Sequence, residues 1–314
     1  MLNRIKKHKR FIQGTISFSI LAILISKIEL KQTLVILNNP RLLWIVPWLI
    51  FYYVVTFFLF GSSLYCLFRR MGKGAFARIV NIPYKLEVLA TFIPGRLGDI
   101  GLVHFLKDKF TPGQSLSVLV VDKVITLSIV TIISAMGIGA IVSWYFAIII
   151  ILGIISGWYL ILRLAGQKGL KIREWVIRKI LGKYAPHLQG FHNEIHNTVK
   201  NGWGISGNVM LTLFRFFLAS LSLTLILSVF FGIKVNIFYV IFVQTISQLA
   251  AMIPVTLMGI GLVETVGVSM FMRVGIQPEI ILTTCLLTRT IHLCFIFIIF
   301  LWQMNKFRGS IKGK

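Results

Sequence analysis

Residues 93–103 read IPGRLGDIGLV, and 160 positions later residues 253–263 read IPVTLMGIGLV. Each copy interrupts an apolar stretch with proline and glycine. Each also has a carboxylate in it or directly after it, Asp99 in the first copy and Glu264 in the second. Unwound backbone at membrane depth is tolerated only around a cavity or inside protein, so broken helices at matching places indicate a transport site.

A second match follows each copy of this phrase. Thr111-Pro112 leads into an apolar run that contains Lys123, and Gln277-Pro278 leads into one that contains Arg289. The chain is therefore internally duplicated.

The composition is that of an integral membrane protein. Apolar residues make up 57% of the chain, charged residues make up 13%, and the mean hydropathy is +0.87. Soluble domains carry about 25% charged residues. The three cysteines lie in apolar runs without the spacing of a zinc site or a disulfide framework. The net charge of +24 is divided into short clusters between apolar runs, which argues against a nucleic-acid partner.

The apolar runs predict an all-α, polytopic membrane protein. About 20 residues are needed to span a hydrocarbon core of about 30 Å. Six runs meet this length and are predicted to be full spans: 11–28, 43–67, 114–141, 143–162, 205–232 and 279–303. Two further apolar stretches, 76–106 and 236–275, contain the repeated phrase and are broken in the middle.

The distribution of Lys and Arg predicts the topology, because cytoplasmic loops are enriched in these residues. Basic clusters occur at 4–10, 69–85, 107–109, 163–200 and 306–314, whereas the joints near 142, 232–236 and 274–278 carry little charge. We therefore expect a plasma (inner) membrane protein with both termini in the cytoplasm.

With this orientation, the stretch 76–106 enters and leaves on the cytoplasmic side, and the stretch 236–275 enters and leaves on the opposite side. The sequence thus predicts two re-entrant hairpins of opposite orientation. Residues 43–141 and 205–303 would form an inverted repeat within a single transmembrane domain, 1–314.

Residues 142–204 connect the two repeats with one span and a basic linker. Within the linker, residues 167–200 carry apolar side chains at helical spacing among Lys and Arg, which favours an interfacial helix on an anionic leaflet. His192 and His196 could share one helix face, but two ligands do not make a metal site, and none is predicted. No cofactor is predicted either.

Four cations fall at membrane depth: Arg96, Lys123, Arg215 and Arg289. Each costs at least about 2.5–3.5 kcal/mol at a helix centre, so a partner, a cavity or a substrate is expected to compensate. Lys123 and Arg289 each lie eleven residues beyond a proline, or about 16 Å along a helix. Both are therefore expected near the midplane.

The acidic residues available as partners are Asp99, Asp122 and Glu264. Neighbours on a helix diverge by about 100°, so Asp122 is not expected to face Lys123. We predict that Asp99 pairs with Lys123 and, by symmetry, that Glu264 pairs with Arg289. These could be structural pairs that brace the hairpins, or the cations could also meet an anionic head group while the carboxylates, Asp122 included, gate or couple transport.

The glycines of the two phrases allow the backbone to unwind and the following half-helix to direct its N–H groups into a cavity, where a phosphate would be favoured. The predicted substrate-binding residues are therefore Gly95, Arg96, Gly98, Lys123, Gly259, Gly261 and Arg289. The alternative is that the glycines only allow close helix packing.

These segments resemble a known family. Residues 95–99 (GRLGD) are similar to the GRLGE element of the lysylphosphatidylglycerol synthase transmembrane (flippase-like) family, and residues 253–264 are similar to its second element, a proline-rich break ending in GxGxxE. Asp122-Lys123 stands where the family usually has Glu-Arg. The resemblance implies movement of lipids or lipid-linked precursors between leaflets.

The sequence thus predicts a transporter of a phosphate-bearing lipid, anionic or zwitterionic, whose basic loops contact membrane phospholipids. No GxxxxGK[ST] motif is present, so ATP is not expected to be the direct energy source. Two alternatives stay open. One is a membrane-embedded glycosyl- or acyl-transferase using a polyprenyl-phosphate donor. The other is a non-transporting partner of a separate lipid-modifying enzyme.

Overall fold

The fold is that of a computed structural model, which describes residue 19 and residues 43–71, 76–92, 98–165, 191–251 and 259–312. All regular elements in these ranges are helical. They are α1 (Ile45–Phe68), α2 (Phe76–Val80), α3 (Ile82–Phe92), α4 (Gly101–Phe105), α5 (Pro112–Ile141), α6 (Trp144–Ala165), α7 (Phe191–Val199), α8 (Gly202–Leu225), α9 (Ile237–Ala251), α10 (Leu262–Met272) and α11 (Pro278–Lys312). A π-helical stretch, Ile226–Phe230, continues α8.

Four helical segments among the described residues are long and apolar enough to cross a membrane: Ile45–Phe68, Pro112–Ile141, Gly202–Phe230 and Pro278–Met304. They correspond to four of the six predicted spans. The predicted span 143–162 falls on α6, whose described apolar portion, Trp144–Gly153, is shorter than a full span. The predicted span 11–28 lies outside the described residues except for residue 19.

Proline determines where two of these long helices begin. The helix α5 begins at Pro112, and Thr111 caps it: its Oγ1 accepts a hydrogen bond from the Gln114 N–H at 3.2 Å, and Gln114 Oε1 accepts one from the Thr111 N–H at 3.1 Å. The helix α11 begins at Pro278. Proline suits the first turn because an N–H there has no partner within the helix. The two prolines that mark the second match in the sequence thus occupy the same structural position.

The described chain divides into two compact units, and each is described by itself. Unit 1 comprises Met1–Phe58, Pro83–Asp99 and Phe214–Lys314, and unit 2 comprises Leu59–Ile82 and Ile100–Leu213. In unit 1, the buried core joins α9, α10 and α11 through residues such as Val243, Phe271 and Ile281. In unit 2, α5 packs against α4, α6 and α7. These units do not follow the boundaries of the predicted repeats, which stay a prediction.

Both broken stretches return to where they began. In unit 2, the Arg78 guanidinium of α2 lies 2.8 Å from the carboxylate of Asp108, which follows α4. In unit 1, the Tyr239 hydroxyl of α9 donates a hydrogen bond to the Met270 carbonyl of α10. The first and last helices of each stretch therefore meet at one end.

A glycine packs against the preceding helix in each broken stretch. A Cβ at Gly98 would lie 2.4 Å from the Ala90 nitrogen, and one at Gly259 would lie 3.0 Å from the Ala251 Cβ. In both cases the contacted residue lies eight positions before the glycine. Gly259 also has a φ of +73°, in the region that side chains disfavour. The glycines therefore allow the chain to turn back closely against the helix it has just left.

Candidate functional site

The second broken stretch positions a buried ion pair in unit 1. Gly261, with a φ of +85°, stands directly before α10, and its N–H donates a hydrogen bond to Glu264 Oε2 at 2.8 Å. The other carboxylate oxygen, Oε1, lies 2.8 Å from Arg289 Nη1 of α11. The predicted pairing of Glu264 with Arg289 is confirmed.

The two partners of this pair differ in exposure. The Glu264 side chain is 2% exposed, whereas the Arg289 side chain is 27% exposed. Glu264 thus has both oxygens engaged and is closed off by the fold. Arg289 is only partly enclosed, although its Nη1 atom is buried against the carboxylate, and a guanidinium has five N–H donors.

The first repeat places its charges differently, in unit 2. Asp122 is 1% exposed, and its Oδ1 accepts a hydrogen bond from Asn208 Nδ2 of α8 at 3.0 Å. The same amide nitrogen donates to the Ser63 carbonyl of α1 at 3.1 Å. An asparagine therefore connects the carboxylate of α5 to the backbone of α1.

Lys123 lies beside this carboxylate at the limit of an ion pair, with its Nζ 3.9 Å from Asp122 Oδ2. The ammonium also lies 5.5 Å from the centre of the Phe60 ring, within range of a cation–π contact. The prediction that Asp122 does not face Lys123 is wrong. The long lysine side chain can bend along its own helix, so the angular separation of neighbouring residues does not keep the two charges apart.

The remaining predicted residues are placed as follows. Asp99 is buried and follows Gly98 at the end of the first break. Its predicted pairing with Lys123 stays a prediction, because Asp99 belongs to unit 1 and Lys123 to unit 2. Gly95 and Arg96 lie outside the described residues, as does the linker up to residue 190. Among the described residues, no cluster of three potential metal ligands is present.

The helix α11 carries a second polar group whose partner the sequence did not predict. His292 follows Arg289 by three positions, and its Nε2 lies 3.8 Å from Glu87 Oε1 of α3. The Tyr53 ring lies 4.8 Å from the His292 ring, and its hydroxyl donates to the Thr288 carbonyl at 2.9 Å. The available signal was Glu87, a carboxylate in the mostly apolar first broken stretch, because such a residue needs a polar partner.

Sequence reasoning also missed Asn208. A polar amide inside an apolar helix is a signal for a hydrogen bond between helices, because an unsatisfied amide in a membrane is unfavourable. The sequence could have indicated the need for a partner but not that Asp122 is that partner.

Together, the long apolar helices and the ionisable side chains within them define a multi-pass membrane protein of the all-helical class. The family model of the lysylphosphatidylglycerol synthase TM region matches residues 10–299, so the chain belongs to this family and the resemblance is confirmed. No curated protein and no solved structure matches the chain. Membership of this family indicates a lipid-related role in the membrane.

Proposed function

We propose that the chain is a flippase-like transporter that moves a phosphate-bearing lipid or lipid-linked precursor between the leaflets of the plasma membrane. The family supports a lipid-related role. The long apolar helices keep the chain in the membrane, where charged side chains are costly and usually serve a substrate or ion pathway.

The observation that carries this proposal is the Glu264–Arg289 pair beside the second break. The buried carboxylate lies 2.8 Å from Arg289 Nη1, and the donors of the guanidinium that do not face Glu264 would bind a head group through the partly exposed side of the arginine. Arginine suits phosphate because its planar fork of N–H donors matches the phosphate oxygens. Lys123, with 40% of its side chain exposed, would offer a second positive charge to the same ligand class.

The glycines around the breaks would admit the head group to the backbone. Gly261 lies directly before α10, and Gly95, Arg96, Gly98 and Gly259 complete the proposed binding set from the sequence, in which backbone N–H groups would contact the phosphate. Asp99, Asp122 and Glu264 would gate or couple the movement.

The proposed topology is an inverted repeat with two re-entrant hairpins and cytoplasmic termini. It is supported by the element order, since in both 43–141 and 205–303 shorter helices on either side of the proline-containing phrase lie between two long apolar helices. The contacts Arg78–Asp108 and Tyr239–Met270 support it as well, because a hairpin that enters and leaves on one side must bring its ends together. Inverted repeats place the substrate site near the midplane, where the repeats meet.

A liposome assay with a panel of fluorescent phospholipids tests the proposal. The purified protein is reconstituted, and a reductant that does not cross the membrane bleaches the probes in the outer leaflet. We expect at least one phosphate-bearing lipid to become fully accessible with the wild type, and Arg289→Ala and Lys123→Ala to abolish this movement. Arg273→Ala is the matched control, since Arg273 is an exposed arginine at the end of α10.

The same assay separates the alternatives. Normal movement by both Arg289→Ala and Lys123→Ala would contradict a head-group role for these cations. Absence of movement for every lipid, together with transfer of a sugar or acyl group from a polyprenyl-phosphate donor, would indicate the transferase. Absence of both activities until a second protein is added would indicate a non-transporting partner.

A further inference from the structure

The buried carboxylate of Asp122 has an unbalanced hydrogen-bond environment. Its Oδ2 has no hydrogen-bond donor among the described residues, and the same holds for the amide oxygen Oδ1 of Asn208. Both residues are almost fully buried, at 1% and 0% exposure. The hydrogen-bonded side chains of Asp122 and Asn208 therefore each keep one buried acceptor atom without a donor among the described residues.

A single proton would satisfy both acceptors. The Asn208 amide already donates from Nδ2 to Asp122 Oδ1. If Asp122 carries a proton on Oδ2, that O–H can donate to Asn208 Oδ1, and the acid and the amide form a cyclic pair with two hydrogen bonds. The second amide hydrogen stays with the Ser63 carbonyl. A buried acceptor without a donor costs free energy, and a shared proton would remove this cost for both atoms.

We propose that Asp122, paired with Asn208, is a proton-binding site in the membrane interior, and that its proton couples to the lipid movement proposed above. The proton comes from the aqueous phase, adds to Oδ2 and leaves the same atom on release, so no other bond forms or breaks. The coupling rests on the proposed function, but the binding of the proton does not.

Lys123 is the group that would link the two events. Its ammonium is 3.9 Å from Asp122 Oδ2 and partly exposed, so an anionic head group can compete for it. When Lys123 turns towards a phosphate, Asp122 loses its counter-charge, and a proton restores neutrality. One anionic head group and one proton would then be bound together without adding net charge to the membrane interior.

Among the described side chains, the other titratable groups on helices packed against α5 lie towards its N-terminal end, beside Asn208 or, for Tyr145 of α6, just after its C-terminal end. Glu194 of α7 approaches Gly113, nine residues before Asp122, and His196 is exposed on the same helix. His104 and Lys107, in and after α4, are exposed. On α1, the Cys66 thiol faces Gly207 next to Asn208. Among the described residues, Lys123 is the charged side chain within ion-pair distance of Asp122.

Infrared difference spectroscopy of the purified protein in detergent, titrated in pH, tests the proton directly. A protonated carboxylic acid has a carbonyl stretch that an ionised carboxylate lacks, and this band shifts in deuterated water. We expect such a band in the wild type and its complete loss in Asp122→Asn, which keeps the shape of the side chain. Asp108→Asn is the matched control and should retain the band, because Asp108 is exposed.

Three further variants keep the test decisive if Asp122→Asn does not fold. Asn208→Val should shift the acid band, because the acceptor for the Asp122 proton is removed. Lys123→Met should strengthen the band at a given pH, because the competing positive charge is lost, whereas Lys123→Arg should not. Identical acid bands in the wild type and all these variants would overturn the proposal, as would a band that responds to Na⁺ and not to pH.

The proton site and the transport function can fail separately. Proteoliposomes of phosphatidylglycerol with a trapped pH dye show whether protons accompany the lipid. An Asp122 acid band without any lipid movement would contradict the proposed function and leave the proton site standing. Lipid movement that proceeds at an equal rate with and without a pH gradient, and equally in Asp122→Asn, would contradict the coupling.

Discussion

The two predicted repeats each contain a pair of opposite charges, and the two pairs are arranged differently. In the second, Glu264 and Arg289 lie on separate helices, and Glu264 Oε1 is 2.8 Å from Arg289 Nη1. In the first, Asp122 and Lys123 are neighbours on one helix, and their charged atoms stay 3.9 Å apart. The difference indicates that a duplicated sequence can provide both a fixed ion pair and an exchangeable one.

The burial of the two carboxylates sharpens this comparison. Glu264 accepts a hydrogen bond from the Gly261 N–H on one oxygen and has the Arg289 Nη1 atom at ion-pair distance, 2.8 Å, from the other. Asp122 receives its donor from the neutral Asn208 on one oxygen only. A carboxylate whose two oxygens both have close partners is suited to a structural role. A carboxylate with a hydrogen-bond donor on only one oxygen is suited to gaining and losing a proton.

The largest expected effect is the loss of one member of the Glu264–Arg289 pair. Glu264→Gln and Arg289→Met should each lower the free energy of unfolding by about 3–5 kcal/mol, because the remaining charge is left without its partner. Thermal unfolding in detergent measures this, with Arg273→Met as the exposed control. Lys123→Met should cost far less, because Asp122 can take up a proton. Equal losses in Glu264→Gln and Lys123→Met would remove the distinction between the two pairs.

Asn208 gives the next largest effect. Asn208→Leu removes the donor to Asp122 and should destabilise the protein by about 1–3 kcal/mol, the cost of an unsatisfied buried acceptor. The same substitution at Asn81 is the control, because this exposed side chain bonds only the Ala77 carbonyl of its own turn. The two melting temperatures are compared under one condition. An Asn208 variant as stable as the Asn81 variant would mean that the amide does not support the carboxylate.

Replacing Gly261 with alanine should lower the free energy of unfolding by a smaller amount. An alanine there would have to adopt a φ of +85°, which costs about 1–2 kcal/mol, and Glu264 would be displaced with the turn. Gly153→Ala in α6 is the control, since its Cβ would meet no atom within 4 Å and alanine favours a helix. Thermal unfolding of both variants measures the contrast, and stabilisation of both would show that the second break does not depend on this backbone conformation.

The exposed Arg78–Asp108 pair should give the smallest effect. The hydrogen bond from Arg78 lowers the pKa of Asp108, so any stabilisation by this pair is present at neutral pH and is lost as the pH falls through the folded-state pKa. The Asp108→Asn variant should therefore melt at nearly the same temperature as the wild type at neutral pH and at the same temperature in acid. Melting temperatures across a pH series check this. A difference in melting temperature that grows as the pH falls would contradict this direction of the pH dependence.

The sequence predicted the helix boundaries best where a local rule decides them. Pro112 and Pro278 begin long helices in the structure as the repeated pattern requires, because proline fits the first turn whatever surrounds it. The Glu264–Arg289 pair was also predictable, since few acids lie near a buried arginine in an apolar chain. By contrast, the Asp122–Lys123 contact depends on how a flexible side chain bends, which helical spacing does not determine.

Contacts between distant segments were the least predictable. Asn208 meets Asp122 across 86 positions, and Glu87 meets His292 across more than two hundred. Each of these residues signals a need for a partner, but only the packing of the helices determines which partner it finds. The polar network of the first repeat therefore became visible only in three dimensions.

Two double-mutant cycles test the central claim, that one charge pair is fixed and the other exchangeable. The free energy of unfolding is measured for Glu264→Gln, Arg289→Met and their double variant, and then for Asp122→Asn, Lys123→Met and theirs. We predict a coupling of about 0.5–3 kcal/mol for the first pair and a smaller one for the second. Equal couplings, or a larger one for Asp122 and Lys123, would contradict the account.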